Sequence, residues 1–139
     1  MAQKTAQITG NYALESSSNF DEFMKVLGVG LLMRKMGNMA KPNQNITEEN
    51  GMWTIKTSSA FKSTEIIFKL GEEFSEITAD GRVVLSTLTL DGNKMTHLQI
   101  GNKDKKEKDT TIIRTFDDAG FKMDCIAENV VAKRVYRRI

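Results

Sequence analysis

Arg134 and Tyr136, two positions apart near the end of the sequence, carry side chains that together could bind an anion. Arginine presents a planar fork of N–H donors and tyrosine adds a hydroxyl, a combination that suits a carboxylate. In a β-strand, residues i and i+2 share a face, so both side chains lie opposite Val135. If Val135 points to the core, Arg134 is ordinary surface. If Tyr136 does, a guanidinium enters an apolar interior and needs a negative partner.

The register of the last hairpin decides between these two faces. A two-residue loop at residues 128–129 places Met123 opposite Arg134 and Asp124 opposite Lys133. The pair of opposite charges formed by Asp124 and Lys133 suits the solvent side of a sheet. Arg134 and the tyrosine two residues later therefore fall on the apolar face.

The preceding hairpin places a second arginine by the same reasoning. A loop of two or four residues within 117–120 sets Arg114 beside Met123, with Cys125 on the same apolar face. A three-residue loop would turn Arg114 outward, and the sequence leaves both loop lengths open. In the first case Arg114 and Arg134 flank Met123, roughly 10 Å apart across two strand spacings.

Two guanidiniums that face an apolar interior cost several kcal/mol each unless they are paired, because arginine cannot give up its proton. In the last three strands, no acidic residue is clearly placed on the same face. The expected partner is therefore an anion from outside the protein. An elongated apolar space with a cationic end is complementary to a fatty acid, which makes Arg114, Arg134 and Tyr136 the candidate carboxylate site.

Two short helices come before most of the strands. Residues 18–27 predict an amphipathic helix with Ser18 or Asn19 as its N-cap, and residues 31–39 predict a second helix after a glycine break. The apolar positions expected to face the core are Phe20, Phe23, Met24 and Leu27 in the first helix, and Leu32, Met33, Met36 and Met39 in the second.

After Pro42 the sequence is typical of short β-strands separated by turns such as NG, DG and EN. We count about ten strands, and the clearest runs are ITGNYALE before the helices and MWTIKTSSA, STEIIFKL, RVVLSTLTL, KMTHLQI, TTIIRTF, FKMDCIA and VVAKRVYRR after them. Consecutive short turns predict an all-β, up-and-down antiparallel barrel, because closure removes the exposed edges of a meander. The helix pair would cap an open end, and ten strands leave room for a cavity.

Composition limits the class of protein. The 139 residues, with one proline and no linker or repeat, fit a single domain over 1–139. A net charge of +2 is too small to indicate nucleic acid as the default partner. One cysteine excludes an internal disulfide, the opening MAQKTAQITG lacks a signal-peptide pattern, and the apolar run VLGVGLLM is too short to span a bilayer. We therefore expect a soluble, cytoplasmic monomer.

Six segments carry a resemblance to a known family: GNYALESSSNFDEFMKVL at 10–27, LGVGLLMRKMGNMAKP at 27–42, SAFKSTEIIFKLGEEF at 59–74, TADGRVV at 78–84, LDGNKMTHLQ at 90–99 and the terminal RVY. Together they resemble the intracellular lipid-binding proteins, specifically the fatty-acid-binding proteins, over essentially the whole chain. The resemblance implies a ten-stranded β-clam with a helix-turn-helix lid between strands 1 and 2. It also implies a non-enzymatic carrier of one or two long-chain fatty acids.

The resemblance implies roles for individual residues as well. The two arginines and the tyrosine that hold the ligand carboxylate in the family correspond to Arg114, Arg134 and Tyr136. The residues expected to line the cavity and its portal are Phe20, Phe23, Met24, Phe61, Lys62, Asp80 and Arg82, to which the strand register adds Met123 and Cys125. The cationic surface of the lid would contact anionic membranes transiently while the ligand is delivered.

Three features depart from the family pattern. Tyr12 stands where a tryptophan is usual, Trp53 where a smaller aliphatic residue is common, and the loop at 101–109 is longer and richer in lysine. We expect Tyr12 and the loop to stay clear of the carboxylate site, whereas Trp53 could alter the shape of the cavity.

Other functions stay open on the sequence alone. A carrier of retinoids or other acidic lipids is the nearest alternative, and a small basic barrel that binds nucleic acid is a more remote one, although no aromatic–basic stacking platform is visible. An esterase or isomerase would need a nucleophile elbow or a Ser/His/Asp constellation, which the sequence lacks.

His97 has no companion ligands at metal spacing, so we expect no metal and no cofactor. The arginines beside Cys125 could activate its thiol, but a small buried apolar residue is the commoner role.

Overall fold

The computed structural model describes residues 7–139 and places ten β-strands and two α-helices within them. Residues 1–6, which hold the start of the MAQKTAQITG opening and of the expected 1–139 domain, lie outside the described residues. The elements in chain order are β1 (Gly10–Ser18), α1 (Phe20–Val26), α2 (Leu31–Met39), β2 (Asn43–Glu49), β3 (Met52–Ser58), β4 (Ser63–Lys69), β5 (Phe74–Ile77), β6 (Val83–Asp91), β7 (Lys94–Ile100), β8 (Thr110–Phe116), β9 (Gly120–Ala127) and β10 (Val130–Arg138), with a short 3-10 turn at Lys103–Lys105 between β7 and β8.

The strands form one antiparallel sheet in the order β4-β3-β2-β1-β10-β9-β8-β7-β6-β5. Strands that are neighbours in the sequence pair with each other, except β4 and β5, and β1 also pairs with β10. Within residues 7–139, no hydrogen-bonded ladder joins β4 to β5. The prediction of a ten-stranded up-and-down barrel with a helix pair between its first two strands is confirmed, and the barrel is nearly closed.

The predicted turn residues explain the short connections. Asn50 and Gly51 between β2 and β3 have φ values of 52° and 84°, the left-handed pair that matches the twist of a two-residue hairpin. Glu128, between β9 and β10, also has a positive φ, of 52°. Two strands were absent from the clearest sequence runs, because β2 (NQNITEE) is largely polar and β5 has only four residues.

The structure decides between the two predicted N-caps of α1. Ser18 ends β1, and the N-cap position belongs to Asn19, which adopts φ 63°. The Asn19 side chain makes no capping hydrogen bond and instead donates to the carbonyl of Val131 at 3.0 Å. Asn19 therefore ties the beginning of the helix pair to the β9–β10 end of the barrel.

The predicted core face of α2 is wrong at two positions. Leu32 and Met39 are 71% and 65% exposed, respectively. The face turned to the barrel interior carries Met33, Met36 and Gly37, although Met33 is still 44% exposed. A Cβ added to Gly37 would lie only 2.9 Å from the Met24 sulfur. The close approach to α1 at this glycine sets the rotation of α2 and leaves Leu31, Leu32 and Met39 outside. Neither helix within residues 7–139 has the length and apolar character needed to cross a bilayer.

An aromatic cluster fills one end of the barrel. Tyr12 is fully buried and packs edge-on against Phe116 and Phe121, with ring centroids 5.9 and 4.9 Å away. The Tyr12 hydroxyl donates to the carbonyl of Ile8 at 2.6 Å, which satisfies its one polar atom. Phe121 in turn stacks on Tyr136 at 4.7 Å. This plug leaves the remaining interior, towards the helices, to form a cavity.

Candidate functional site

A cavity of about 310 Å³ lies inside the barrel. Both helices contribute to its wall, together with strands from the two halves of the sheet. The wall includes every residue that the sequence suggested for the carboxylate site, the cavity or the portal: Phe20, Phe23, Met24, Phe61, Lys62, Asp80, Arg82, Arg114, Met123, Cys125, Arg134 and Tyr136. Residues that are more than 110 positions apart in the chain thus meet around one space.

Arg114 on β8 and Arg134 and Tyr136 on β10 form what we call the arginine cluster. The predicted register is confirmed, since Met123 on β9 pairs with Arg114 on one side and with Arg134 on the other. The sequence left the length of the β8–β9 loop open, and the observed loop has the length that turns Arg114 inward. Arg114 and Arg134 are only 4% and 6% exposed, and Tyr136 is also buried.

The hydrogen bonds of the arginine cluster leave most of its donors free. Arg114 donates from Nε to the Gln44 side-chain oxygen at 3.3 Å, and Arg134 donates from Nε to the Ser17 hydroxyl at 3.1 Å. Arg114 Nη1 is fully enclosed and has no hydrogen-bond partner. None of the ion pairs found within residues 7–139 includes either arginine. A buried cation without a counter-ion is costly, so these donors point to an anionic ligand.

Burial acts on the protonation of this cluster. It lowers the pKa of Arg114, while the neighbouring Tyr136, Cys125 and Glu76 act in the opposite direction. The guanidinium stays protonated at physiological pH, because its ordinary pKa is far above 7. Burial also raises the pKa of Tyr136 despite the two nearby arginines, so its hydroxyl keeps its proton and can donate it.

Aromatic rings hold the arginine side chains in place. The Phe20 ring of α1 lies 4.0 Å from the Arg134 guanidinium carbon, and the Phe121 ring lies 5.8 Å from that of Arg114. A guanidinium over a ring face gains cation–π attraction without losing its in-plane donors. The first of these contacts connects the helix pair directly to the arginine cluster.

The residues predicted for the portal, Phe61 and Lys62, and two of those predicted for the cavity wall, Asp80 and Arg82, lie in strand connections. Phe61 and Lys62 are exposed in the β3–β4 turn. Asp80 and Arg82 lie in and just after the β5–β6 turn, and Arg82 Nε donates to the Asp80 carboxylate at 2.7 Å. Burial alone would raise the pKa of Asp80, but hydrogen bonds from Arg82 and Thr78 hold it below its usual value. Arg82 therefore has its own counter-ion, unlike the arginine cluster.

Cys125 is buried next to the arginine cluster, and its thiol is not activated. Burial raises the pKa of this thiol to about 11, although the nearby Arg134 and Arg114 act to lower it. Because the thiolate is the reactive form, Cys125 behaves as a small apolar residue of the cavity wall. Burial and the raised pKa favour the expectation of a small apolar residue over the alternative of a reactive thiol.

The sequence did not reveal a second polar group beside the arginine cluster, which we call the glutamate cluster: Glu76, Ser86, His97 and Gln99, on β5, β6 and β7. The Ser86 hydroxyl, His97 Nε2 and Gln99 Nε2 all donate to Glu76 Oε1, at 2.6, 2.9 and 3.1 Å. Thr110 on β8 donates to the Gln99 oxygen and extends the network. The strict alternation of Met95, His97 and Gln99 in KMTHLQI was the available signal that His97 faces inward.

Two opposing effects act on the glutamate cluster. Burial by itself would raise the pKa of Glu76, but hydrogen bonds from His97, Ser86 and Gln99 lower it to about 2. Burial lowers the pKa of His97, although Glu76 opposes that change. At neutral pH the pair is therefore an ionised carboxylate with a neutral imidazole. Within residues 7–139, no group of three or more His, Cys, Asp or Glu side chains could hold a metal ion.

The charges around the cavity do not cancel. The arginine cluster contributes two positive charges and Glu76 one negative charge, while Arg82 and Asp80 neutralise each other. Lys62 is exposed at the rim, where water solvates it. The enclosed wall thus carries a net charge of +1, which one carboxylate would balance.

Comparison with known proteins identifies the family. The model of the Lipocalin / cytosolic fatty-acid binding protein family matches residues 9–134. The chain belongs to this family.

Similar family members cover almost the same length. Sodium/calcium exchanger regulatory protein 1 of Doryteuthis pealeii is 42% identical over 96% of this chain and 98% of that protein. Fatty acid-binding protein 9 of Homo sapiens is 42% identical over 94% of this chain and 96% of that protein. A solved structure of a Schistosoma mansoni fatty acid binding protein in complex with arachidonic acid is 35% identical, with a TM-score of 0.90 over 95% of this chain and 96% of that chain.

The three departures from the pattern of the cytosolic fatty-acid binding family have different consequences. Tyr12 does not line the cavity and packs instead in the aromatic plug. Trp53 is partly buried against the core and is likewise absent from the cavity wall. The loop at 101–109 is exposed along most of its length and ties itself to β9–β10 through a Lys108–Glu128 ion pair of 3.4 Å. None of the three changes reaches the arginine cluster directly.

Proposed function

We propose that this protein is a cytoplasmic, monomeric carrier that binds one long-chain fatty acid in its cavity and delivers it unchanged to membranes or enzymes. The observation that carries the proposal is the pair of buried arginines, Arg114 and Arg134, with free donors and no counter-ion within residues 7–139. A ligand carboxylate would supply that counter-ion and accept from the Tyr136 hydroxyl as well. The family membership and the apolar remainder of the cavity wall support an acyl chain behind the acid group.

Charge favours a monoanionic ligand over the alternatives. The net charge of +1 on the enclosed wall matches one carboxylate, and a nucleic acid could not enter a cavity of about 310 Å³ with its phosphates. A retinoid acid would satisfy the same charge, so acyl-chain shape decides between the two lipids. Competition between oleate and retinoic acid for one site, measured by displacement of a fluorescent fatty acid, distinguishes them.

The arginine assignment is tested by calorimetric titration of oleate into Arg134→Gln. We expect a loss of about ten- to hundredfold in affinity, because a hydrogen bond to a charged group contributes about 1.5–3 kcal/mol. Arg137→Gln is the matched control, since Arg137 lies on the same strand but is exposed on its outward face. Unchanged affinity in Arg134→Gln, with the same melting temperature as the wild type, would refute the carboxylate site.

We also propose that α2 contacts anionic membranes during delivery. Leu31 and Leu32 are 73% and 71% exposed at its start, and Lys35 is exposed on the same helix. Apolar side chains can enter the lipid surface while each nearby cation adds about 1 kcal/mol of attraction to anionic lipids. This transient contact of α2 with the lipid surface would place the membrane beside the portal residue Phe61.

The membrane proposal is tested by following the transfer of a fluorescent fatty acid to vesicles with and without phosphatidylserine. We expect Leu31→Ser/Leu32→Ser to slow transfer several-fold and added salt to slow the wild type on the anionic vesicles. Ile67→Ser is the control, because Ile67 is also exposed but lies on the outer face of β4. Equal slowing by both variants, or transfer that ignores lipid charge, would exclude docking through α2.

A further inference from the structure

The glutamate cluster leaves half of a buried carboxylate unused. All three donors, from Ser86, His97 and Gln99, converge on Oε1 of Glu76. Oε2 accepts no hydrogen bond from residues 7–139, although the Glu76 side chain is only 10% exposed. Oε2 is not sealed inside the protein, and Glu76 lines the cavity. The free oxygen is therefore available to whatever occupies that space.

A second acceptor in the cluster also lacks a partner. His97 Nδ1 is buried without a hydrogen bond, and the ring itself is 3% exposed. Because the Nε2 proton points to Glu76, the neutral imidazole leaves Nδ1 as an acceptor. The wall of β5–β7 thus offers acceptors without donors, whereas the arginine cluster offers donors without acceptors. The two groups call for different parts of one ligand.

The two clusters are close enough to act on the same molecule. On the β7–β8 ladder His97 lies opposite Ile112, and Arg114 is two residues further along β8. Diagonal neighbours of this kind are roughly 7–8 Å apart. A fatty acid held by its carboxylate at Arg114 and Arg134 therefore runs past Glu76 within its first several carbons. An unsubstituted chain would cover the ionised oxygen with methylene groups that cannot donate to it, which is costly at low dielectric.

We propose that Oε2 of Glu76 accepts a hydrogen bond from a hydroxyl on the ligand chain, so that the preferred ligand is a monohydroxy long-chain fatty acid with its hydroxyl in the half nearer the acid. The inference rests on the proposed fatty-acid carrier function and deepens it. Ser86, His97 and Gln99 act as positioning residues, because they fix the carboxylate by its other oxygen. The hydroxyl and the acid group would then be bound by two neighbouring polar groups of the cavity wall.

The direct test compares stearate with a positional series of monohydroxystearates on the wild-type protein by calorimetry. We expect one or two neighbouring isomers to bind about tenfold more tightly than stearate, a difference of about 1.4 kcal/mol, and the others to bind more weakly. A flat series would overturn the inference while leaving the carrier function intact. Failure of stearate itself to bind would instead refute the carrier proposal, so the two failures are distinguishable.

The second test locates the hydroxyl at Glu76. We expect Glu76→Gln to reduce the preference of the best isomer over stearate from about tenfold to about threefold, since hydrogen bonds to neutral groups are about half as strong as those to ions. Glu73→Gln, at an exposed glutamate between β4 and β5, is the matched control.

A spectroscopic measurement on the wild type covers the case in which Glu76→Gln fails to fold. Binding of the preferred hydroxystearate should shift the ring ¹⁵N signals of His97 relative to the stearate complex, because the imidazole donates to the same carboxylate. An unchanged His97 spectrum, or an undiminished preference in a folded Glu76→Gln, would place the hydroxyl elsewhere and overturn the inference.

Discussion

The arginine cluster and the glutamate cluster lie on neighbouring strands of one cavity wall, yet burial affects them in opposite ways. Glu76 receives three hydrogen bonds on one oxygen from its own protein, whereas Arg114 has an enclosed nitrogen with no partner at all. The first arrangement stabilises the empty protein and the second destabilises it. Glu76 thus has most of its hydrogen-bond partners within the fold, whereas the arginine cluster has no counter-ion within residues 7–139.

The largest effect is expected when the arginine cluster loses both cations. Arg114→Gln/Arg134→Gln should weaken oleate binding about a thousandfold in calorimetry, because two charge-assisted contacts of about 1.5–3 kcal/mol each are lost. The control Lys133→Gln/Arg137→Gln removes two exposed cations from the outward face of β10 and should change affinity less than about twofold. Comparable losses in the two double variants would mean that net charge, and not the cluster, attracts the acid.

Stability should change in opposite directions for the two clusters. Arg114→Met should raise the free energy of unfolding of the ligand-free protein by about 1–4 kcal/mol, because it removes an unpaired buried charge. Glu76→Met should lower it by about 3 kcal/mol, since it leaves buried donors of Ser86, His97 and Gln99 without an acceptor. Urea unfolding measures both values. The contrast drawn above would be wrong if both variants lost stability equally.

Acid should weaken the glutamate cluster in two stages. His97 has a lowered pKa when folded, so the unfolded chain binds its proton more readily and stability falls as the pH drops below the ordinary value of about 6.5. Glu76 has a folded pKa of about 2, so its contribution is present above its ordinary value near 4.5 and is lost as the pH falls towards 2. Urea unfolding between about pH 7 and about pH 5 should therefore show a decline.

The histidine part of this decline is separable by substitution. His97→Gln keeps a side-chain donor for Glu76 without a titrating ring, so its stability should stay level between about pH 7 and about pH 5. The loss of stability caused by protonation of Glu76 at lower pH should persist in this variant. A wild-type protein whose stability is already level across the same range would contradict the assignment to His97.

The smallest effect concerns the contact between the lid and the arginine cluster. Phe20→Leu should weaken oleate binding about fivefold, because the cation–π contact that orients Arg134 contributes on the order of 1 kcal/mol. Phe23→Leu removes a ring from the same helix that does not lie over Arg134, so it serves as the control. Equal losses in the two variants would reduce the role of Phe20 to that of an apolar wall.

The sequence predicted the arginine cluster for a local reason. Two short loops fix the pairing of β8, β9 and β10, and a register of period two then determines which way Arg114, Met123 and Arg134 point. The prediction did not find Glu76, because it considered acidic partners only within the last three strands, β8 to β10. Glu76 lies on β5, which has only four residues and is hard to recognise in the sequence. Its side chain reaches His97 on β7 across β6, and strand pairing alone does not predict such a contact.

The face of α2 was beyond the reach of periodicity for a different reason. Leu32 and Met39 fit a helical stripe, but a helix that covers an open cavity has no continuous core to select one stripe. The small residue Gly37, packed against Met24, sets the rotation instead. The spacing of apolar residues could not show that packing at Gly37, and not burial of Leu32 and Met39, sets the rotation of α2.

The position of β10 in the middle of the sheet has a consequence for how the protein is made. The strands before it form two separate groups, β1–β4 and β5–β9, which β10 alone joins through ladders on both of its sides. These pairings connect residues as distant as Tyr12 and Arg138, and contacts over such separations form slowly. During synthesis, the barrel can close only after its tenth strand has left the ribosome, and Arg134 and Tyr136 arrive on that same strand. A nascent chain is therefore unable to capture lipid before its fold is whole.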